Sequence, residues 1–347
     1  MNFIKQTLAS FIGTLAGLFL LIAVGASGLV FLLIGLVSVD TSTIVKDKSI
    51  LVFDLSTQIQ DTEPPPLTIS DFLLDTDQSI VTLRQVVESI DKAIKDERIQ
   101  AIFLDGSKAN GGSGYATFSE IREALAKFKA AGKKIIAYDV NLSEQEYYLS
   151  SLADTIIVNP MGQMALKGLA IQPLFWTEAL DKYGIGVQVV RAGNYKGAVE
   201  PFIRTNLSPE NRQQLQVILD DIWGNFLTTV GTSRQVSPQR LQKIADNQGI
   251  LTPQEAVKTG LVDQVGYKDQ AIAKLQEITG TQNSKEKSFP QISLGNYLNV
   301  PVSGVTDQSS KNKIAVVYLE GEIVNGVGNL QQVGGTYFAN ILRKIRY

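Results

Sequence analysis

An uncharged apolar stretch near the N-terminus constrains this chain more than any other feature. No residue between Lys5 and Asp40 is charged, and Leu, Ile, Val, Phe, Ala and Gly dominate. About 20 apolar residues can cross a bilayer as a helix, whereas the apolar part of a cleaved signal peptide runs for about 7–15 residues before a small-residue site. Small residues occur at positions 25–27, but the apolar run continues through Ile34. We therefore predict a retained transmembrane anchor, residues 1–45, rather than a cleaved signal.

The flanking charges bear on the orientation of this anchor. Lys5 and the amino terminus precede the stretch, while Lys46 and Lys48 follow it alongside two Asp residues, so the positive-inside bias is nearly balanced. The short basic N-terminal tail favours an N-terminus on the cytoplasmic side. We expect a single-pass membrane protein with its soluble part on the non-cytoplasmic side.

Two absent residue types narrow the chemistry of the soluble part. The 347 residues include no Cys and no His, which excludes Ser-His-Asp and Cys-His nucleophile systems, Cys/His zinc sites and an imidazole base. Catalysis by Lys, Asp, Glu or Tyr and an all-carboxylate metal site stay open. With 32 basic and 34 acidic residues there is no sign of the basic face that nucleic acid needs, and the 44% hydrophobic fraction is enough for a core.

The soluble part alternates between two kinds of apolar pattern. Short, β-branched-rich runs predict buried strands, and apolar residues at helical spacing predict amphipathic helices between them. The predicted strands are residues 48–55, 99–104, 134–140 and 155–159, and the predicted helices are residues 83–96 and 118–131, followed by a mainly helical region at 209–274. This order is typical of an α/β domain with mostly parallel strands.

One internal repeat indicates duplication. Residues 46–55 are echoed by residues 311–320: both begin with basic residues and continue as an apolar strand, and both are followed by a helical pattern. We predict a first α/β domain over residues 46–278, a polar linker over 279–310, and the start of a duplicated domain over 311–347. The last piece is too short to bury a core of its own.

A glycine-rich segment at residues 105–114 follows the second predicted strand. It resembles the start of a phosphate-binding loop, but Gly112 stands where that motif requires Lys, so nucleotide binding is disfavoured. A turn with positive φ, or backbone amides that face a substrate, accounts better for the glycines. We predict no cofactor and no bound metal.

Lys196 is the candidate general base. A lysine is usually a solvated surface residue, but Lys196 is flanked by Gly193 and Gly197 and follows a predicted strand at residues 187–190. In a chain without His, Lys is the natural base for a Ser nucleophile. To act near neutral pH its pKa must fall by ~3 units, equivalent to ~4 kcal/mol, through desolvation in a dry pocket.

The residues that could act with this lysine are less distinctive. Ser143, Ser150 and Ser151 lie on or near a predicted helix outside any Gly-x-Ser-x-Gly elbow, so capping or helix-surface roles are favoured. Glu120 and Glu200 are further carboxylates without a visible partner at a fixed spacing.

The chain resembles the signal peptide peptidase A (protease IV) family, in its long, duplicated form. The resemblance rests on YKGAVEPF at residues 195–202, on YYLSSLAD with VNP at 147–154 and 158–160, on LSP at 207–209, and on LTPQEAVKTGLVD at 251–263. It covers nearly the whole soluble part, and the lysine-bearing and GLVD segments are its specific elements.

This resemblance implies a crotonase-like (caseinolytic-protease-like) α/β fold and a Ser-Lys dyad that degrades cleaved signal peptides and other apolar peptides. It implies that Lys196 is the general base, that long members take the Lys from the first half and the Ser from the second, and that they assemble into ring-like homo-oligomers. The lipid bilayer and apolar peptides are therefore the expected partners, and nucleic acid is not.

One departure from the family pattern concerns the nucleophile. Where the family's Ser-bearing copy has Ser-Gly-Gly-Tyr, this chain has Glu144-Gln-Glu-Tyr147, and Ser143 is one position away, about 100° around a helix. The first copy therefore resembles the lysine-donating half, and the second copy ends before a Ser-Gly-Gly-Tyr segment. We expect this chain alone to be inactive unless a C-terminal portion or a separate polypeptide supplies the Ser.

Two alternatives stay open. The first is a non-catalytic membrane-anchored scaffold of the same fold. The second is a crotonase-type acyl-thioester enzyme that uses the Gly111 and Gly112 amides as an oxyanion site, although a membrane anchor argues against it.

Overall fold

The computed structural model describes residues 2–37, 45–62, 80–108, 113–282, 288–301, 312, 314–329 and 332–346. The chain divides into two compact units, Met1–Ile44 and Val45–Tyr347. The first contains helix α1 (Asn2–Val37), whose 36 residues extend for about 54 Å. Within it, Lys5–Gly25 is long and apolar enough to cross a membrane. The predicted N-terminal apolar helix is therefore present.

The second unit is built on a seven-stranded sheet with strand order β7-β6-β5-β4-β1-β9, in which β8 pairs with β6. All of its strand pairs are parallel except β6 with β7. The strands, including a separate parallel pair β2–β3, are β1 (Ser49–Asp54), β2 (Gln58–Gln60), β3 (Ile80–Thr82), β4 (Ile99–Gly106), β5 (Lys134–Leu142), β6 (Thr155–Ala165), β7 (Ile250–Leu251), β8 (Gln264–Val265) and β9 (Gln291–Ser293).

Helices cover both faces of this sheet, so the unit has three layers. On one face a large core forms between the sheet and most of the helices, and on the other face β-strand side chains pack against α10. The helices are α2 (Leu83–Lys95), α3 (Tyr115–Ala130), α4 (Glu144–Ser150), α5 (Thr177–Lys182), α6 (Glu200–Ile203), α7 (Pro209–Arg234), α8 (Pro238–Asn247), α9 (Pro253–Lys258), α10 (Lys268–Thr279) and α11 (Leu294–Tyr297). The predicted α/β architecture is confirmed.

Strand β6 is longer than the prediction, which ended at Asn159 before Pro160. Its pairing with β5 shifts register between Val158 and Gln163, so the strand passes Pro160 through an irregular stretch and continues to Ala165. Pro is tolerated at such a bulge because no ladder hydrogen bond is needed there. Gly162 allows the close approach, since a Cβ at this position would overlap the Val140 carbonyl.

Residues 291–297 fall inside the predicted linker, yet they form β9 and α11. Strand β9 pairs with β1 and closes one side of the sheet. Helix α11 is held against α2, because Lys92 Nζ donates to three carbonyls of residues 297, 298 and 300 and the Tyr297 hydroxyl donates to Asp96 Oδ2 at 3.0 Å. The sequence does not indicate this role, because the segment is polar overall and β9 has only three residues.

Removing the Tyr297 hydroxyl tests this attachment. Tyr297 is fully buried, and hydrogen bonds to charged groups contribute about 1.5–3 kcal/mol. We expect Tyr297→Phe to lower the free energy of unfolding by about 1.5 kcal/mol in urea titrations of the detergent-solubilised chain. Tyr183→Phe, at a side chain that is 79% exposed, is the matched control and should change nothing. Equal stability of both variants would show that the attachment contributes little.

The C-terminal segment repeats one local arrangement. Strands β10 (Glu322–Val324) and β11 (Gln332–Gly334) pair in parallel, and helix α12 (Gly335–Arg346) begins directly after β11. In the same way, β2 and β3 pair in parallel and α2 begins directly after β3.

The C-terminal segment also touches the first part of the unit. Glu320 accepts hydrogen bonds from the backbone amides of Asp61 and Thr62. Together these parts line a groove of about 760 Å³, and none of its lining residues comes from the Lys196 region.

Candidate functional site

Lys196 lies in an exposed arm, which we define as residues 167–207, between β6 and α7. The arm contains α5, α6 and a short 3-10 helix, Gly197–Val199. Nine of its large apolar side chains are exposed: Ile171, Leu174, Trp176, Tyr183, Ile185, Val187, Val190, Tyr195 and Phe202. The predicted strand at residues 187–190 is wrong, since this segment is assigned no strand. It pairs with no strand of the described chain.

Lys196 itself is the residue that precedes the 3-10 helix. Its side chain is exposed and forms no hydrogen bond or ion pair with any residue that the structure describes. The dry pocket expected around its amine is therefore not formed by the described part of the chain. Desolvation of this amine needs a second surface that covers the arm.

A buried acid lies near the carboxyl end of strand β5, shortly before the predicted nucleophile position in the sequence. Asp139 lies at the C-terminal part of β5, beside Gly106 of β4, and only 2% of its surface is exposed. A Cβ at Gly106 would overlap its carboxyl group, and its Oδ2 has no hydrogen-bond partner among the described residues. Burial, and after it the neighbouring Glu146 carboxylate, raises the pKa of Asp139 to about 8. Asp139 is thus protonated at neutral pH.

The start of α4 follows this acid, and its polar side chains are occupied by structural contacts. Ser143 is the N-cap: its Oγ accepts from the Glu146 amide and donates to Glu146 Oε2 at 2.6 Å. Glu144, at the position where the resemblance implies a nucleophile, accepts a hydrogen bond from the Lys167 amide at 2.6 Å. Neither residue is arranged as an activated nucleophile, as the sequence predicted for Ser143.

The other two serines are also structural. Ser150 and Ser151 are buried, and Ser151 Oγ accepts a hydrogen bond from Arg122 Nη1 at 3.0 Å. Arg122 is a buried cation that also donates to the Tyr148 carbonyl and to Ser233 Oγ, and burial lowers its pKa to about 10. It joins α3, α4 and α7. Sequence reasoning missed Arg122, although it lies at helical spacing on the apolar face of α3.

The two remaining carboxylate candidates differ in their exposure to solvent. Glu120 is an exposed residue of α3, whereas Glu200 is fully buried. Gly111 and Gly112 lie outside the described residues. Within the described ranges, no three His, Cys, Asp or Glu side chains are arranged to hold a metal ion. The described part of the chain thus offers an exposed lysine amine on an apolar arm and no activated hydroxyl beside it.

Comparison with known proteins finds similarity to a peptidase family and to curated proteases. Residues 127–282 match peptidase family S49. The chain is 30% identical over 332 residues to Protease 4 of Haemophilus influenzae, 34% identical over 272 residues to Protease 4 of Salmonella typhi, and 30% identical over 279 residues to the chloroplastic serine protease SPPA of Arabidopsis thaliana. These alignments cover 91%, 76% and 80% of this chain. These matches support an SppA-type peptidase of family S49.

The chain spans about half the length of these relatives: the alignments cover 54%, 43% and 40% of their respective lengths. Among solved structures, the 1510-N membrane-bound stomatin-specific protease is similar to 72% of this chain and 98% of its own, with 11% identity and a TM-score of 0.36.

Proposed function

We propose that this chain is the lysine-bearing part of a membrane-anchored Ser-Lys peptidase that degrades cleaved signal peptides and other apolar peptides. Lys196 is the general base: its neutral amine takes the proton of a serine hydroxyl as the hydroxyl attacks the peptide carbonyl, and then returns that proton to the leaving amine. α1 anchors the protein in the bilayer by a single pass, with the soluble part on the non-cytoplasmic side.

One observation carries this proposal. The family's lysine-bearing segment, residues 195–202, stands on an arm that exposes nine large apolar side chains. Soluble monomers rarely expose large contiguous apolar surface unless it binds something. A second protein surface that covered the arm would bury the Lys196 amine, and burial disfavours the charged form of a lysine, as a general base requires.

The nucleophile comes from a second domain. In the copy described here, Ser143 caps a helix and Glu144 binds a backbone amide, so residues 143 and 144 have structural roles. The parallel strand pair and helix at β10, β11 and α12 correspond to β2, β3 and α2, which supports a duplicated, crotonase-like domain beginning near residue 311. That second domain supplies the Ser, and copies of the protein assemble so that each Lys196 meets a Ser.

A non-catalytic scaffold is the second candidate, and the Glu at position 144 favours it. Such a protein would keep the fold and the apolar arm but would present no nucleophile in any assembly. The two candidates make opposite predictions for reaction with a serine-directed probe.

Fluorophosphonate labelling separates them. We expect the 347-residue chain alone to show neither labelling nor cleavage of a fluorogenic apolar peptide, because the part of it that the structure describes offers no activated hydroxyl beside Lys196. The same chain completed by a Ser-bearing C-terminal half should show both. A completed protein with that Ser changed to Ala is the matched control.

Two results would contradict the proposal. Clear labelling of the 347-residue chain would mean that the nucleophile lies within it. No labelling of the completed, folded protein would support the scaffold instead.

A further inference from the structure

Glu200 is the buried residue of an otherwise solvent-facing arm. Among residues 167–207, all of which the structure describes, it alone is buried, with no exposed surface. It lies at the start of α6, four residues after Lys196. A buried carboxylate is costly unless it is hydrogen-bonded, so its contacts indicate what it does.

One oxygen of this carboxylate joins α6 to the beginning of α7. Glu200 Oε2 accepts hydrogen bonds from the Ser208 amide and from Asn211 Nδ2, each at 3.0 Å. Ser208 is the N-cap of the 26-residue helix α7, and its Oγ accepts from the Asn211 amide. Burial alone would raise the pKa of Glu200, but the hydrogen bonds from Ser208 and Asn211 outweigh it and lower that pKa. The group is therefore an ionised carboxylate at neutral pH.

The partners of Glu200 contact both sides of the Lys196–Gly197 peptide. Asn211, which binds Oε2, lies so close to Gly197 that a Cβ there would overlap its amide group. Arg191 Nη1 lies 3.9 Å from Glu200 Oε1 and donates to the Lys196 carbonyl at 3.4 Å. The backbone on each side of this peptide is therefore in contact with a residue that is hydrogen-bonded to the carboxylate, as Asn211 is, or ion-paired with it, as Arg191 is.

We propose that Glu200 is a positioning residue, which fixes the Lys196 backbone to α7 through Asn211 and Arg191 so that the amine reaches the serine hydroxyl. This proposal rests on the proposed function of Lys196. A general base must approach its proton donor to about 2.6–3.2 Å, and a displacement of 1 Å can cost about 10²-fold in rate. The hydrogen bonds of Glu200 join this turn to the beginning of α7.

Kinetics of the completed, Ser-bearing protein test the proposal. We expect Glu200→Gln to lower kcat by about 10–10²-fold with KM within about twofold, because the amine is misplaced while the peptide-binding surface is unchanged. Gly197→Ala, whose Cβ would overlap the Asn211 amide that Glu200 Oε2 binds, disturbs the same link from the other end and should lower kcat in the same way. Glu178→Gln, at an exposed carboxylate of α5 in the same arm, is the matched control and should behave as the parent.

Hydrogen exchange on the 347-residue chain provides a readout that needs no activity. Peptides that cover residues 192–203 should exchange faster in Glu200→Gln than in the parent or in Glu178→Gln, while peptides from β4 and β5 should be unchanged. Unchanged exchange at 192–203 would overturn the proposal, since the carboxylate would then not hold the turn.

The outcomes separate this proposal from the proposed function. Full activity of Lys196→Ala would show that Lys196 is not the general base, and Glu200 would then have no base to position. An inactive Lys196→Ala together with parental kcat in both Glu200→Gln and Gly197→Ala would overturn the positioning role alone. If Glu200→Gln fails to fold, Gly197→Ala still decides between these results.

Discussion

Replacing Lys196 by Ala in the completed protein is expected to lower kcat/KM for an apolar fluorogenic peptide by about 10³-fold, since general-base catalysis contributes about 10²–10⁴-fold. Lys196→Arg should be equally inactive, because guanidinium stays protonated in proteins and cannot accept the serine proton. The pair of variants distinguishes a base from a positive charge that merely attracts the substrate. Steady-state kinetics with a range of peptide concentrations measures the effect.

The control for this experiment is Lys182→Ala, an exposed lysine of α5 in the same arm, which should keep parental activity. Circular dichroism and membrane fractionation should find all three variants folded and membrane-bound, because the Lys196 side chain forms no hydrogen bond or ion pair with the described residues and Lys182 is exposed. Turnover by Lys196→Ala within a few-fold of the parent would end the assignment.

Replacing Asp139 by Asn is expected to remove a large pH dependence of stability. Since burial raises the pKa of Asp139 from 3.8 to about 8, the folded chain keeps a proton that the unfolded chain releases above about pH 4. Stability therefore falls as pH rises from about 4 to about 8 and then levels off. One pKa unit corresponds to 1.36 kcal/mol, so we expect the stability of Asp139→Asn relative to the parent to rise by at least about 2 kcal/mol over that range.

Thermal unfolding of the detergent-solubilised chain at pH 4, 6, 8 and 9 measures this effect, and about 2 kcal/mol corresponds to about 4–8 °C in Tm. Asp181→Asn, at an exposed carboxylate of the arm, should follow the parent at every pH. Parallel Tm curves for the parent and Asp139→Asn would mean that the carboxyl titrates normally in the folded chain.

The layered fold was predictable because its strands and helices follow simple apolar periodicities. Val86 and Ile90 lie at helical spacing and are fully buried in α2, and the apolar run at residues 99–104 is the buried centre of β4. Buried parallel strands read as continuous apolar runs, so they are conspicuous in a sequence. Strand β9 has three residues, two of them exposed, and a pattern that short is indistinguishable from a polar linker.

The site was predictable in part. Asp139 could have been noticed, because it is the one acidic residue in the apolar strand of residues 134–140. The partners of Glu200 lie 8 and 11 residues further along, across a turn and in another helix, so no regular spacing indicates them. The exposure of Lys196 depends on what covers the arm, and composition carries no such information.

Because β1 pairs with β9, the sheet of this domain cannot be completed until late in translation. Ile50 pairs with Gln291, so the ribosome must add 241 residues after Ile50 to reach its partner. At about 5–20 residues per second the ribosome needs about 12–48 s for this. During that time one side of β1 is an open edge that could recruit other nascent strands. The exposed Lys46 and Lys48 next to this edge are of the residue type that discourages such pairing until β9 emerges.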